Sequence, residues 1–152
     1  MSPEAREQNP PPYDLVLLHY PVYDKNGRVV TTAVANMDVH DIARAARTYG
    51  ARRYYLVTPL EAQVRLVKKI LSHWQDGYGA VFNPSRREAF QRVRVKSSLD
   101  EVLAEVASRS GKDVRLVVTG AGLSGPVITC ETLKGLIMRE EAASVLVFGT
   151  GS

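Results

Sequence analysis

Asn36-Met37-Asp38-Val39-His40-Asp41-Ile42-Ala43-Arg44-Ala45-Ala46-Arg47-Thr48-Tyr49-Gly50 reads as one helix with two faces. At about 100° per residue, Val39, Ile42, Ala43, Ala46 and Tyr49 share one side. His40, Arg44 and Arg47 form a stripe on the other. Asn36 or Asp38 can cap the start, because a short side-chain oxygen accepts from the orphan N–H groups of a first helical turn. Gly50 supplies the stop. A helix of this kind is fastened by its apolar face and presents its arginines outward.

Working outward, the pattern on both sides is strand–helix alternation. Tyr13–Leu18 is an apolar run of strand length, closed by His19-Tyr20-Pro21. Asp24-Lys25-Asn26-Gly27 is a turn signal. After Gly50, Arg53–Val57 is a second strand. Thr58-Pro59-Leu60-Glu61 combines a capping box with Pro at the first helical position. Leu60, Val64, Val67, Leu71 and Trp74 mark the stripe of the helix that follows. Gly77 and Gly79 end it, and Asn83-Pro84 starts a short helix to about Phe90. Val93–Lys96 is a third strand, and Ser98-Leu99-Asp100-Glu101 opens a helix with Leu99, Val102 and Val106 on one side. Val114–Thr119 is apolar enough for a buried parallel strand. A Gly-rich loop from Gly120 to Pro126, a helix over about Thr129–Glu141 and a strand over Ser144–Phe148 complete the order. The alternation predicts an α/β fold, a Rossmann-like parallel sheet with helices on both faces. Residues 1–12, polar and rich in proline, read as a disordered tail, and 13–152 as one domain.

Composition narrows the function classes. The chain has 152 residues, 45% hydrophobic and 24% charged, with a formal net charge of +4. That allows an anionic partner without demanding one. The single cysteine, Cys130, excludes a disulfide framework and reads as a small packing residue. His19, His40 and His73 are too scattered for a metal site, so no metal is expected. No run approaches the roughly 18 apolar residues of a membrane span, and the N-terminus lacks a hydrophobic signal core. A cytoplasmic protein without membrane contact is expected.

In open parallel sheets ligands bind beyond the carboxyl ends of the strands. Two Gly-rich strand ends fall there, Thr119-Gly120-Ala121-Gly122 and Gly149-Thr150-Gly151. Neither continues as a phosphate-binding P-loop. As a pair they suggest an adenosine-type cofactor held by backbone, or otherwise plain tight turns. Arg86, Arg87, Arg92, Arg94 and Lys96 form one basic cluster, and Arg44, Arg47, Arg52 and Arg53 another. Tyr49, Tyr54, Tyr55, Trp74, Tyr78 and Phe82 stand near them in sequence. Arginine with aromatics suits RNA phosphates and unstacked bases; a solvated basic surface is the alternative. Asp38 and Asp41 are explained as first-turn residues favoured by the helix dipole.

Arg44-Ala45-Ala46-Arg47-Thr48-Tyr49-Gly50, followed by Tyr54-Tyr55-Leu56-Val57, resembles the first motif of the SpoU branch of the SPOUT RNA methyltransferases. Arg44 falls on the motif's arginine. The motif's asparagine position is Asp38 here, with Asn36 two residues before it. Val145–Gly151 resembles the start of the second motif, a strand entering a Gly-rich cofactor loop. His19-Tyr20-Pro21, Thr32-Ala33, Asp38–Arg44, Asn83-Pro84-Ser85-Arg86 and Phe148–Gly151 together resemble a small bacterial SPOUT subfamily. The resemblance implies an S-adenosylmethionine-dependent methyltransferase acting on structured RNA (tRNA or rRNA), dimeric, with the cofactor bent inside a C-terminal trefoil knot. It implies Arg44, with Asp38 or Asn36, for catalysis or RNA, and Arg47, Arg86 and Arg87 for RNA contact. It implies Thr119, Gly120, Ala121, Phe148, Gly149, Thr150 and Gly151 around the cofactor. The third SPOUT motif has no counterpart before Ser152, so the expectation is a C-terminally incomplete domain lacking the knotted segment. Its last strand would then show Val145 and Val147 to water or a partner. The rival readings are an inactive RNA-binding SPOUT-like domain and a nucleotide-binding α/β domain unrelated to methylation.

Overall fold

The structure, a computed structural model, describes residues 13–76, 83–120, 123–139 and 141–150. In chain order the elements are β1 (Tyr13–Leu18), β2 (Val22–Tyr23), β3 (Val29–Val30), α1 (Asn36–Tyr49), β4 (Tyr54–Val57), α2 (Glu61–Gln75), α3 (Pro84–Phe90), β5 (Val93–Lys96), α4 (Leu99–Ser110), β6 (Val114–Val118), α5 (Cys130–Arg139) and β7 (Ala143–Gly149). Five strands form one sheet in the order β5-β4-β1-β7-β6, every neighbouring pair parallel. β2 and β3 form a separate antiparallel hairpin. The expected α/β class and parallel sheet are the observed ones.

Alternating strand residues feed two cores. Leu17, Tyr54, Leu56 and Val93 pack with Val39, Ala43 and Ala46 of α1, Val67 and Leu71 of α2, and Ala89 and Phe90 of α3. Val16, Tyr55, Val57, Val145 and Val147 point the other way and pack with Val102 and Val106 of α4. Each valine, leucine or phenylalanine among them contributes about 1.5–3 kcal/mol on burial, so both faces anchor the sheet. Val145 and Val147 are therefore buried, against the expectation that they face water or a partner. β7 lies inside the sheet between β1 and β6, and α4 covers it.

Among the described residues β6 is one edge of the sheet and β5 the other, which corrects the reading of β6 as a buried strand: Val118 is 59% exposed. An apolar run alone cannot distinguish an edge strand from a central one. Cys130 is exposed rather than packed, because none of α5's described side chains is buried. Arg115 Nη1 donates to the Leu136 carbonyl at 3.1 Å, tying α5 to β6.

Helix ends show where sequence signals hold and where they slip. Gly50 ends α1 with φ 75°. Its N–H reaches the Arg47 carbonyl and the Ala51 N–H the Ala46 carbonyl at 2.9 Å, the paired bonds of a Schellman stop. The N-cap of α1 is Ala35, neither Asn36 nor Asp38; the Asp38 carboxylate accepts from the Ala35 N–H at 3.2 Å. Tyr49, assigned to the apolar face, is 74% exposed, since it is the last helical residue and lies past the layer α1 covers. α2 begins at Glu61 with Leu60 as N-cap, so Pro59 precedes the helix and Leu60 is exposed. Asn83 and Ser98 cap as expected, accepting from the Arg86 and Glu101 N–H groups. Glu101 completes no capping box; its carboxylate takes the N–H and hydroxyl of Ser97.

A candidate RNA-methylation site in two parts

From β1 the chain moves outward through β4 to β5, and it returns through β6 and β7 from the opposite edge. The order reverses between β1 and β7, which is where ligand crevices form in such sheets. Leu18 pairs with Gly149 there, and the Thr150 N–H donates to the Leu18 carbonyl at 3.2 Å. One strand over, Thr119 is bound to the Val147 carbonyl through its N–H at 3.0 Å and its hydroxyl at 2.9 Å. Thr119, Gly120, Phe148, Gly149 and Thr150 thus gather at the carboxyl ends of adjacent strands. Ala121 and Gly151 of the same set lie outside the described residues, as do the tail 1–12, Gly77, Tyr78, Gly79, Phe82 and Gly122.

This edge is partly apolar. Phe148, Leu123, Val127 and Ile128 are exposed. A Cβ at Gly149 would stand 3.9 Å from Val22 of the hairpin, ordinary van der Waals contact, whereas one at Gly120 would press on Leu123 at 3.0 Å. His19, the residue after β1, is fully buried at the same edge. Its Nδ1 lies 3.0 Å from the Thr32 hydroxyl and 3.3 Å from the Thr150 hydroxyl. Burial pushes the His19 imidazole below its ordinary pKa, and the Asp38 carboxylate opposes that. The sequence marks His19 as the end of the first strand and Thr32 only within the family resemblance; the signal for the place of His19 is a polar residue directly after an apolar strand.

The second part lies on the flank. Arg44, Arg47 and Thr48 of α1, with Asn83, Ser85, Arg86 and Ala89 around α3, line a cavity of about 370 Å³. Arg44 and Arg47 are one turn apart, and the Asn83 cap with Pro84 starts α3 so that Arg86 faces them. The Arg86 guanidinium lies 4.7 Å from the centre of the Trp74 ring, a cation–π arrangement. Its Nε is buried with no partner among the described residues. Arg47 is paired with Glu88 at 3.1 Å. His40 belongs to this wall instead of the outer stripe, its ring edge-on to Trp74 and Phe90. Burial, then the charges of Arg86 and Arg44, hold its pKa below the ordinary value, with Asp41 opposing. Arg87, expected beside Arg86, lines a different cavity, of about 590 Å³, with Lys68, Gln91 and Arg94 near edge strand β5. Successive residues on a helix differ by about 100°, so α3 sends its two arginines to opposite sides.

Asn36 and Asp38 are not joined to Arg44 by any hydrogen bond or ion pair among the described residues. Six residues of helix separate Asp38 from Arg44, about 9 Å of rise. The Asp38 carbonyl instead accepts from the buried Tyr54 hydroxyl at 3.2 Å. Among the described residues no group of three His, Cys, Asp or Glu could hold a metal, and no helix is long and apolar enough to cross a membrane.

The profile of a SAM-dependent RNA methyltransferase family matches residues 13–152. An uncharacterised protein of Aquifex aeolicus is 36% identical over 137 residues, covering 90% of this chain and 67% of its own length. A tRNA (guanine-N(1)-)-methyltransferase of Oleidesulfovibrio alaskensis is 36% identical over 88% of this chain. One of Nitratidesulfovibrio vulgaris, with the same printed activity, is 38% identical over 89%. The chain spans only 31% of the length of each of these two enzymes. The crystal structure of TrmJ from Z. mobilis ZM4 aligns with 90% of this chain and 49% of its own at a TM-score of 0.46 and 20% identity. The cofactor of the matched family is S-adenosylmethionine, and the carboxyl edge fits it: backbone at Gly149, threonine hydroxyls, an apolar rim, and no cationic side chain among Thr119, Gly120, Phe148, Gly149 and Thr150 to oppose a sulfonium. The chain belongs to the S-adenosylmethionine-dependent RNA methyltransferase family.

Proposed function

We propose that this chain methylates a base of structured RNA, tRNA in the first instance, holding S-adenosylmethionine at the carboxyl edge and the RNA backbone on the flank. The observation that carries the reading is the convergence of Arg44, Arg47 and Arg86 in one cavity on the flank of the sheet. S-adenosylmethionine supplies an electrophilic methyl group on a cationic sulfur. Methyl transfer of this kind is promoted mainly by holding the acceptor nitrogen or oxygen in line. Arg44 and Arg86 supply forked donors that fix phosphate oxygens, and Trp74 beneath Arg86 holds that fork in one orientation. Thr119, Gly120, Ala121, Phe148, Gly149, Thr150 and Gly151 frame the cofactor, while Asp38 contributes negative charge near it. Arg87, with Lys68 and Arg94, extends the basic surface toward β5. The tRNA assignment rests on the printed activity of the two relatives. We further infer a cytoplasmic homodimer, supported by the family resemblance and by exposed apolar residues on β6 and at Phe148.

Arg44→Ala tests the assignment. Arg44 is exposed, so its removal opens no core cavity and the thermal unfolding midpoint is expected to hold. Transfer of labelled methyl groups to bulk tRNA is expected to be lost. Full activity with an unchanged midpoint refutes the role of the flank cavity.

A further inference from the structure

The hydroxyls at the carboxyl edge admit a proton count. Five polar contacts meet there: His19 Nδ1 to Thr32 Oγ1 at 3.0 Å and to Thr150 Oγ1 at 3.3 Å, Thr32 Oγ1 to Thr150 Oγ1 and to the His19 carbonyl at 3.4 Å, and Thr150 Oγ1 to the Leu18 carbonyl at 3.1 Å. Each hydroxyl brings one proton, and the carbonyls bring none. With a proton on Nδ1 as well, the three shortest contacts are all served in one direction: Nδ1–H to Thr32, Thr32 to Thr150, Thr150 to Leu18. With Nδ1 bare, two protons remain and one of those three contacts goes unserved.

The same residues join three pieces of chain. The Thr32 N–H donates to the His19 carbonyl at 2.9 Å, and the Thr150 N–H to the Leu18 carbonyl at 3.2 Å. The exit of the β2–β3 hairpin, the end of β1 and the loop after β7 therefore meet on one buried imidazole. Nε2, on the far side of that ring, is buried and has no partner among the described residues.

We propose that His19, as the Nδ1–H tautomer, is the positioning residue of the methyltransferase crevice: through Thr32 it fixes Thr150, and so sets the Gly149–Thr150 backbone at the sheet's switch point. Its link to the cofactor rests on the reading above; the clamp itself does not. Burial disfavours the imidazolium, and with the one remaining ring proton on Nδ1 the Nε2 lone pair is bare.

The test uses the full chain in three measurements. Long-range proton–nitrogen correlation spectra of the imidazoles are expected to show His19 with a pyrrole-like Nδ1 and a pyridine-like Nε2; the opposite tautomer overturns the proposal. Amide exchange is then compared in Thr150→Val, which keeps the shape without the hydroxyl, and Thr150→Ser, which keeps the hydroxyl. Losing one net hydrogen bond should speed exchange at residue 150 about fivefold in Thr150→Val, with Thr150→Ser near the parent and the Val147 amide unchanged in both. Equal exchange in the two variants overturns the clamp. Thr32→Val repeats the measurement from the hairpin side, so the outcome does not hang on His19→Leu folding.

Calorimetric titration with S-adenosylmethionine completes the test. His19→Leu and Thr150→Val should weaken binding by similar factors, and the double variant by no more than either alone. Multiplying factors overturn a shared role at the cofactor. A parent chain that does not take up S-adenosylmethionine refutes the cofactor reading, while the tautomer and exchange measurements still decide the clamp.

Discussion

Arg109→Leu should cost this protein several kcal/mol at neutral pH and progressively less as the pH falls. Asp14 opens β1 with its side chain only 3% exposed, and Arg109 Nη2 of α4 sits 2.6 Å from its Oδ2. The other carboxylate oxygen is buried without a partner among the described residues. Burial already pushes the Asp14 pKa above its ordinary 3.8, with Arg109 the main opposing influence. Removing Arg109 leaves a buried charge with two unsatisfied oxygens, a loss of about 3–5 kcal/mol. The protein can limit that loss by protonating Asp14. Holding a carboxyl of ordinary pKa neutral costs about 1.4 kcal/mol per pH unit, so at pH 7 the penalty from this source is capped near 4 kcal/mol. Because the folded pKa is raised, the folded state binds the extra proton, and the deficit grows as pH rises above 3.8. Urea unfolding of parent and variant at pH 7 and pH 5 should show the deficit shrinking by about 2–3 kcal/mol between them. A deficit independent of pH would mean that lost packing of the Arg109 stem, and not the carboxylate, accounts for the loss.

Gly50→Ala should destabilise by about 1–2 kcal/mol, read as a lowered unfolding midpoint, because φ 75° is strained for any residue with a Cβ. Acid should destabilise the fold through His19 and His40. Both have folded pKa values below 6.5, so stability present above pH 6.5 is lost as pH falls through those values; His40→Gln should flatten part of that decline in urea unfolding. Replacing Arg86 and Arg87 by glutamine should reduce the slope of log affinity against log salt for single-stranded RNA by about 1–2, since each lost phosphate contact removes roughly 0.7. An unchanged slope assigns both to a solvated surface.

The elements were legible because each strand and helix carries its own period and its own punctuation. Asn83, Ser98 and Gly50 announce helix ends by chemistry that works locally, and the structure keeps all three. What could not be read is whatever depends on neighbours in space. Val114–Val118 has the composition of a central strand, yet nothing local says that no strand flanks β6. The expectation that Val145 and Val147 face water or a partner supposes missing cover, but the cover is α4, contributed from residues 99–110. His40 looked like part of a polar stripe until Trp74 and Phe90, more than thirty residues on, closed over it. The candidate site divides in the same way. The glycine- and threonine-bearing strand ends were visible as loops after apolar runs. The grouping of Arg44 with Arg86, the separation of Arg87, and the His19–Thr32–Thr150 junction required the fold.

The two parts of the site differ in sign, and two histidines report it. His19 at the carboxyl edge is under the negative charge of Asp38, whereas His40 is under the positive charges of Arg86 and Arg44. The change of sign occurs along one helix, over the roughly 9 Å that six residues of α1 span. The cationic cofactor and polyanionic substrate proposed above would require that order. A guanidinium 4 Å from a sulfonium would oppose it by about 4 kcal/mol at an effective dielectric of 20, and one 9 Å away by about 2 kcal/mol. A carboxylate at the edge works in the opposite direction. On the function proposed above Arg44 would hold an RNA phosphate and not touch the methyl donor, and the 3.6-residue period of α1 sets which side chain goes where: Val39, Ala43 and Ala46 fasten the helix to the sheet, Asp38 is left at its start, and Arg44 and Arg47 are turned toward α3. The stretch that organises the fold is in this sense also the one that sets the polarity of the site.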